Sequence, residues 1–431
     1  MMNMMRVCVR TQIRTMSTLS VEEVLSSRLG MKSSDIANTM SSRPVLSKEG
    51  AGEAVSSRVD YLLDELEVPV SKARALVAGN GAPLLGYELE KTVKPKVEWL
   101  KSELSFSGAD VGVIVSRFPL VLGYSLEARL KPRVEELEAR GLSREVIARM
   151  IRAYPQLFSM PSPVVAAKLA FLHDVLGLDT DQQVRVLATN PNVMGRSIDD
   201  HLAVWVQFCT APAELGPDNG LVGLGMTIAG LRRLVVHFPH SLGYSVAGNL
   251  VPTMQHFVDV WGVPPESLAR ILTLYPRTLG LSVPANLGPK AAFFSQALSL
   301  EKPDLAAFLL DFPPILGYSL DSNIRPKLAA LSSFIEESLP SLPADHPLAG
   351  IPLSTRDTIL ASPRLFSYSH TRIATRLALL KDPKVVAAKV FGDPSNLVMG
   401  EGGTALRLGA VLILTDDKLD SRLHGLQHQQ Q

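Results

Sequence analysis

Phe118-Pro119-Leu120-Val121-Leu122-Gly123-Tyr124-Ser125 returns twice almost unchanged, as Phe238-Pro239-His240-Ser241-Leu242-Gly243-Tyr244-Ser245 and as Phe312-Pro313-Pro314-Ile315-Leu316-Gly317-Tyr318-Ser319. Looser copies stand at Ala82-Pro83-Leu84-Leu85-Gly86-Tyr87, Tyr154-Pro155-Gln156-Leu157-Phe158-Ser159, Asn190-Pro191-Asn192-Val193-Met194-Gly195, Tyr275-Pro276-Arg277-Thr278-Leu279-Gly280 and Ser362-Pro363-Arg364-Leu365-Phe366-Ser367. Arg43-Pro44-Val45-Leu46-Ser47 heads the series. The leading prolines fall at 44, 83, 119, 155, 191, 239, 276, 313 and 363, in steps of 39, 36, 36, 36, 48, 37, 37 and 50. Self-similarity at a period of this size is the signature of a solenoid. The two long steps locate insertions at residues 210–224 and 338–352, rich in Pro and small residues, which read as loops.

Between one leading proline and the next the apolar residues keep helical period. Val134 and Leu137 form one run, Val146, Ile147, Met150 and Ile151 a second, and Gly141 separates them. The next proline stops the second helix. Each unit therefore supplies two short helices and a turn. A pair that small cannot bury both of its faces, so neighbours must stack. The expected fold is all-α, a superhelical solenoid of about nine repeats over residues 40–391 with one long concave surface.

At 46% apolar and 20% charged, the 431 residues can bury a large core. Cys8 and Cys209 are the only cysteines, which excludes a disulfide framework or a cysteine-built zinc site. Forty-three bases against 42 acids leave a net charge of +1, so any polyanion binding must come from charge placed locally. The apolar stretches at 221–231 and 408–414 are shorter than the roughly 18 residues that cross a bilayer, so no membrane partner is expected. Residues 1–21 carry Arg6, Arg10 and Arg14 with no acid before Glu22, the look of an organellar transit peptide, mitochondrial rather than plastid. Residues 392–431 break the period; an apolar run at 406–414 would cap the last repeat, and the final residues read as a disordered tail.

The recurring octet is followed by a second proline flanked by bases, as in Leu130-Lys131-Pro132-Arg133-Val134 and Ile324-Arg325-Pro326-Lys327-Leu328. This combination resembles the mitochondrial transcription termination factor (mTERF) family over about residues 40–391. The resemblance implies a left-handed helical solenoid, import into mitochondria or plastids, and nucleic-acid binding along the inner groove. It leaves open which role within a diverse family applies: DNA-binding terminator, RNA-binding splicing or stability factor, or ribosome-assembly partner.

Aligning the repeats on their second apolar pair puts Arg58, Lys96, Arg133, Lys168, Val204, Thr253, Lys290, Lys327 and Arg376 in one column. Seven of the nine are basic, where composition predicts about one. A residue one place before a core position lies at the edge of the buried face, so stacked edges would make a basic rail. Lys94, Arg129, Lys131, Arg325 and Arg372 lie within a turn of it. Such a rail would hold phosphates of double-stranded DNA or structured RNA without reading sequence. The bland alternative is that these cations solvate a helix edge and cover apolar surface with their stems. A cation beside a proline in a helix's first turn would oppose the helix dipole, which argues for a nonlocal reason unless the helix begins earlier, at Ser125 or Ser319.

Tyr87, Tyr124, Tyr244, Tyr318 and Tyr368 read as repeat-packing residues rather than base-stacking platforms. No catalytic, cofactor or metal site is expected. Gly223-Leu224-Gly225 with Gly230 has the wrong spacing for a dinucleotide loop, and the histidines form no metal-binding pair with a carboxylate. The adjacent acids Asp199-Asp200 and Glu336-Glu337 point to different helix sides. The sequence thus predicts an organellar nucleic-acid-binding protein that acts as a monomer and regulates transcription termination or transcript fate through a basic groove. A protein-interaction scaffold in organellar ribosome assembly or RNA processing is the alternative, docked through the acidic late repeats or where Val204 and Thr253 interrupt the rail.

Overall fold

The computed structural model describes residues 19–48, 50–79, 82–346, 348–349, 353–383 and 386. The transit peptide expected over residues 1–21 lies, up to residue 18, outside the described residues, as do the cap and tail at 392–431. Regular structure among the described residues is helical, apart from one isolated antiparallel bridge between Leu215 and Leu221 in the first insertion.

The third repeat shows how the sequence makes the unit. Phe118 precedes a proline and adopts φ −146°, ψ 75°, which ends the helix Gly108–Arg117. Pro119–Gly123 then forms a 3₁₀ turn that buries Val121 and Leu122. Ser125 opens the long helix, its hydroxyl accepting from the Ala128 N–H at 3.1 Å. The first turn of that helix is wide, with the Leu130 N–H reaching back five residues to the Ser125 carbonyl at 3.1 Å. Pro132 follows two residues later; it lacks an N–H and its ring presses on the carbonyl four residues back, which opens the ladder ahead of it. The same wide turn precedes Pro95, Pro252, Pro289 and Pro326. The fifth repeat makes it without a proline, Leu202 to Ser197 at 3.1 Å, so the proline is not its sole cause. Gly141, at φ 85°, turns the chain in a conformation that L side chains rarely adopt, and Ser143 caps the short helix Arg144–Ala153.

The second proline therefore lies inside a helix that has already started at its serine cap. The dipole argument from the sequence, which needed the helix to start at that proline, loses its force.

Two helices precede the first repeat, so the fold reaches upstream of residue 40. Val21–Leu29 begins with a Ser20–Glu23 capping box, buries Val24, Leu25 and Leu29, and packs on Ala51–Asp60; Ser33–Ser41 follows it.

The chain divides into two compact units, Met1–Leu202 and Ala203–Gln431, each with its own apolar core. Within each unit most successive 3₁₀ turns and short helices lie against one another, whereas most successive long helices stand farther apart and meet the next repeat through its turn. A stack with one layer more tightly spaced curves toward that layer. The inner face of each unit is therefore made by the short helices and the proline turns.

In four repeats the glycine of the turn motif is required by close approach, since it sits beneath a tyrosine of the preceding repeat. A Cβ on Gly280 would lie 2.7 Å from the Tyr244 hydroxyl, and one on Gly195 would lie 2.8 Å from the Tyr154 ring. Tyr87 covers Gly123 and Tyr275 covers Gly317 in the same way. Tyr124, Tyr244 and Tyr318 also pack beside Phe118, Phe238 and Phe312 of their own octets, at 5.9, 6.3 and 6.2 Å between ring centres. The packing role expected for these tyrosines agrees with this geometry.

Candidate nucleic-acid interface

The basic column does not form a solvated rail. Lys96, Arg133, Lys168, Lys290, Lys327 and Arg376 are buried, and Arg58 is half-buried. The cations reach from the long helix of one repeat to the proline turn of the next. Arg58 donates to the Tyr87 carbonyl, Lys96 to Leu122, Arg133 to Met160, Lys168 to Arg196, Lys290 to Leu316, and Lys327 to Phe366 at 2.7 Å. The last carbonyls of a short helical turn have no partner within it, and a buried carbonyl left unpaired is costly. A long cationic side chain in the next long helix supplies the missing donor.

Local acceptors complete some of these contacts. Asn286 accepts from Lys290 and Asn323 from Lys327, both at 2.8 Å, and Glu136 pairs with Arg133. Burial lowers the pKa of Arg58, Lys96, Arg133, Lys168 and Lys327, and pulls Lys290 down to about 8. The recurrence did have a nonlocal reason, but the structure places it in the neighbouring repeat's backbone. The edge-of-face geometry inferred from helical spacing is thereby corrected: stacking the next repeat covers that edge.

The five flanking cations lie nearer the surface. Lys94, Lys131 and Arg325 pair with acids four residues back, Glu90, Glu127 and Asp321, at 2.6, 2.6 and 3.0 Å. Arg129 donates to the Phe158 and Ser159 carbonyls at 3.1 and 2.8 Å, another bridge to the next repeat. Arg372 is half-buried with its guanidinium over the Tyr368 ring at 4.7 Å. All five belong to the long-helix layer rather than to the inner one.

A different column faces outward on the inner helices. Six residues before the leading proline stand Arg149, Arg185, Arg233 and Arg270, in four consecutive repeats, and all four are exposed. The flanking positions explain why: Met150-Ile151, Val186-Leu187, Leu234-Val235 and Ile271-Leu272 are buried on the opposite side of each helix. Arg149 and Arg185 sit on packed neighbouring helices of the first unit, Arg233 and Arg270 on neighbouring helices of the second. Acids four residues earlier, Glu145, Asp181 and Glu266, accompany three of them, the Arg149–Glu145 pair at 3.8 Å. Exposed pairs of this spacing are worth about 0.3–0.5 kcal/mol, too little to withhold an arginine from a phosphate. Sequence alignment on the leading proline would have exposed this column; alignment on the second apolar pair hid it.

Among the described residues no group of His, Cys, Asp and Glu could hold a metal ion, and no helix is long and apolar enough to cross a membrane. Cys209 is buried, which pushes its thiol far up from its ordinary range and leaves it unreactive.

No curated protein matches the chain. The mTERF family model matches residues 11–212 and 219–344, and the interruption falls on the first insertion. With the proline-turn repeats, the all-α stack and this match over most of its length, the chain belongs to the mTERF family.

Proposed function

We propose that this protein binds organellar nucleic acid along the inner faces of its repeat units and so regulates transcription termination or transcript fate. Members of its family are nucleic-acid-binding regulators of organellar gene expression. The observation that carries the reading here is the exposed arginine column, Arg149 and Arg185 in one unit and Arg233 and Arg270 in the other. Arginines repeated once per structural unit offer a phosphate backbone regularly spaced, always-charged forks. Lys94, Lys131 and Arg325, each paired with an acid one turn back, stand on the long-helix layer outside this face, and the buried column holds the scaffold in shape. The basic leader motivates mitochondrial import, and the mature chain acts as a monomer on double-stranded DNA or structured RNA.

A salt titration of binding to duplex DNA, single-stranded DNA and structured RNA tests the reading. Each lost phosphate contact lowers the logarithmic salt slope on duplex DNA by roughly 0.9. Arg149→Ala with Arg185→Ala should therefore flatten the slope by about 2 while leaving the fold intact. Lys327→Met should weaken the fold and leave the slope of the folded protein unchanged. A slope that follows Lys327 rather than the arginines, or absence of binding to all three polymers at low salt, would overturn the assignment.

A further inference from the structure

A notch of about 810 Å³ opens in the first unit between the short helices Val70–Ala78 and Gly108–Arg117. Its floor is aliphatic, made by Ala75, Leu76, Val113 and Leu120, and its charged residues are Lys72 and Arg117. Leu120 is 43% exposed; the position after the leading proline is exposed in most repeats, but Asn192, His240, Arg277 and Arg364 fill it with polar side chains where this repeat has leucine. On the other side of Leu120 lies a second hollow of about 620 Å³, edged by Asn38, Ser42 and Arg43.

Among the described residues neither lining contains a carboxylate. Asp35 and Asp110 belong to the first turns of their helices, and Asp110 is tied to Arg152 at 3.0 Å. This separates the notch from the outer cations, three of which are matched by an acid one turn away. Arg117 is held in place by one nitrogen, which donates to the Arg152 and Ala153 carbonyls at 3.0 and 3.2 Å. Its position in the last turn suits the helix dipole, but Lys72 occupies a first turn, where a cation is unfavourable. Helix physics would not select Lys72 there.

We infer that this notch is a docking site for an acidic amphipathic helix of a protein partner. An aliphatic floor takes leucine-like side chains spaced one turn apart, and Lys72 and Arg117 take carboxylates on the helix's flanks. A nucleic-acid strand fits the same charge but not the floor, since base stacking needs a free aromatic face and the Phe118 ring is already packed on Tyr124 at 5.9 Å. The column arginines are not among the residues that line the notch; it lies on the same layer of short helices and proline turns, beside the helix that carries Arg149.

The test uses the full-length protein and a fluorescent helical peptide of about 15–20 residues, with Leu at one-turn spacing and Glu elsewhere. Micromolar binding is expected, weakened at least tenfold by Lys72→Glu and by Leu120→Asp, and lost when Gln replaces the peptide's Glu. Arg149→Ala with Arg185→Ala should leave peptide binding unchanged, which keeps this result independent of the nucleic-acid reading. Both notch residues are exposed, and Lys72→Gln offers a gentler variant should the charge reversal disturb folding. No binding, binding indifferent to Lys72 and Leu120, or displacement of the peptide by a single-stranded oligonucleotide whose own affinity depends on Leu120 would each overturn the proposal.

Discussion

Lys290 donates to the Asn286 carboxamide and the Leu316 carbonyl, and burial pulls its ammonium from 10.5 to about 8. Between those pH values the unfolded chain holds a proton that the folded chain has released. The contribution of this group to stability is present above 10.5 and lost as the pH falls through about 8, so it rises with pH across the window. Urea unfolding of the wild type and of Lys290→Met at several pH values should show a difference that grows with pH in that sense; a constant difference would refute it. Lys327→Met at neutral pH should cost about 1–3 kcal/mol, because the Phe366 carbonyl loses its donor. Gly280→Ala should cost about 1–3 kcal/mol by pressing on the Tyr244 hydroxyl. Gly112→Ala should cost more than that, because its Cβ would meet the backbone carbonyl of Leu66, which cannot swing aside as a side chain does.

The long helices of the third and fifth to eighth repeats are each started by a serine cap and opened by a wide turn, and the cap is separable from the rest. Ser282→Ala removes the acceptor for the Ala285 N–H, now at 3.2 Å, and should lower stability by about 0.5–2 kcal/mol in thermal unfolding without altering peptide or nucleic-acid binding. Helix boundaries of this kind were legible in the sequence because Pro, Gly and Ser act through local backbone physics. The place of the cations was not, because burial of Lys96 or Arg133 is decided by the turn of the next repeat, some 26 or 27 residues away. Spacing showed that the column had one role in every repeat, and only the stack showed that the role is to close carbonyls. The arginine column could have been read from the sequence too, had the repeats been aligned on Phe-Pro or Tyr-Pro rather than on the long helix. The first insertion was legible as a loop, but not its closure, in which Gln255 accepts from the Leu221 N–H at 3.0 Å and donates to the Asn219 carbonyl at 3.2 Å.

At the scale of the whole molecule, repeats couple through their neighbours, so stability is a sum of local terms rather than one cooperative block. The cationic bridge runs from repeat to repeat through Lys96, Arg133 and Lys168 in the first unit and through Lys290 and Lys327 in the second. Val204 and Thr253 occupy the corresponding positions in the fifth and sixth repeats, where no side chain of this kind can reach a carbonyl. The second unit thus begins with two repeats that lack the bridge its later repeats share. Trp99 lies in the first unit, and Trp205 and Trp261 are buried in the second, so fluorescence can follow the two separately. A variant with Trp205→Phe and Trp261→Phe reports the first unit, and Trp99→Phe reports the second. Urea unfolding should give non-coincident midpoints for the two reporters, and Val204→Lys should raise the midpoint seen by the second reporter and leave the first in place. Coincident transitions that shift together would mean that the units fold as one, and no shift with Val204→Lys would mean that the missing bridge carries no consequence for stability.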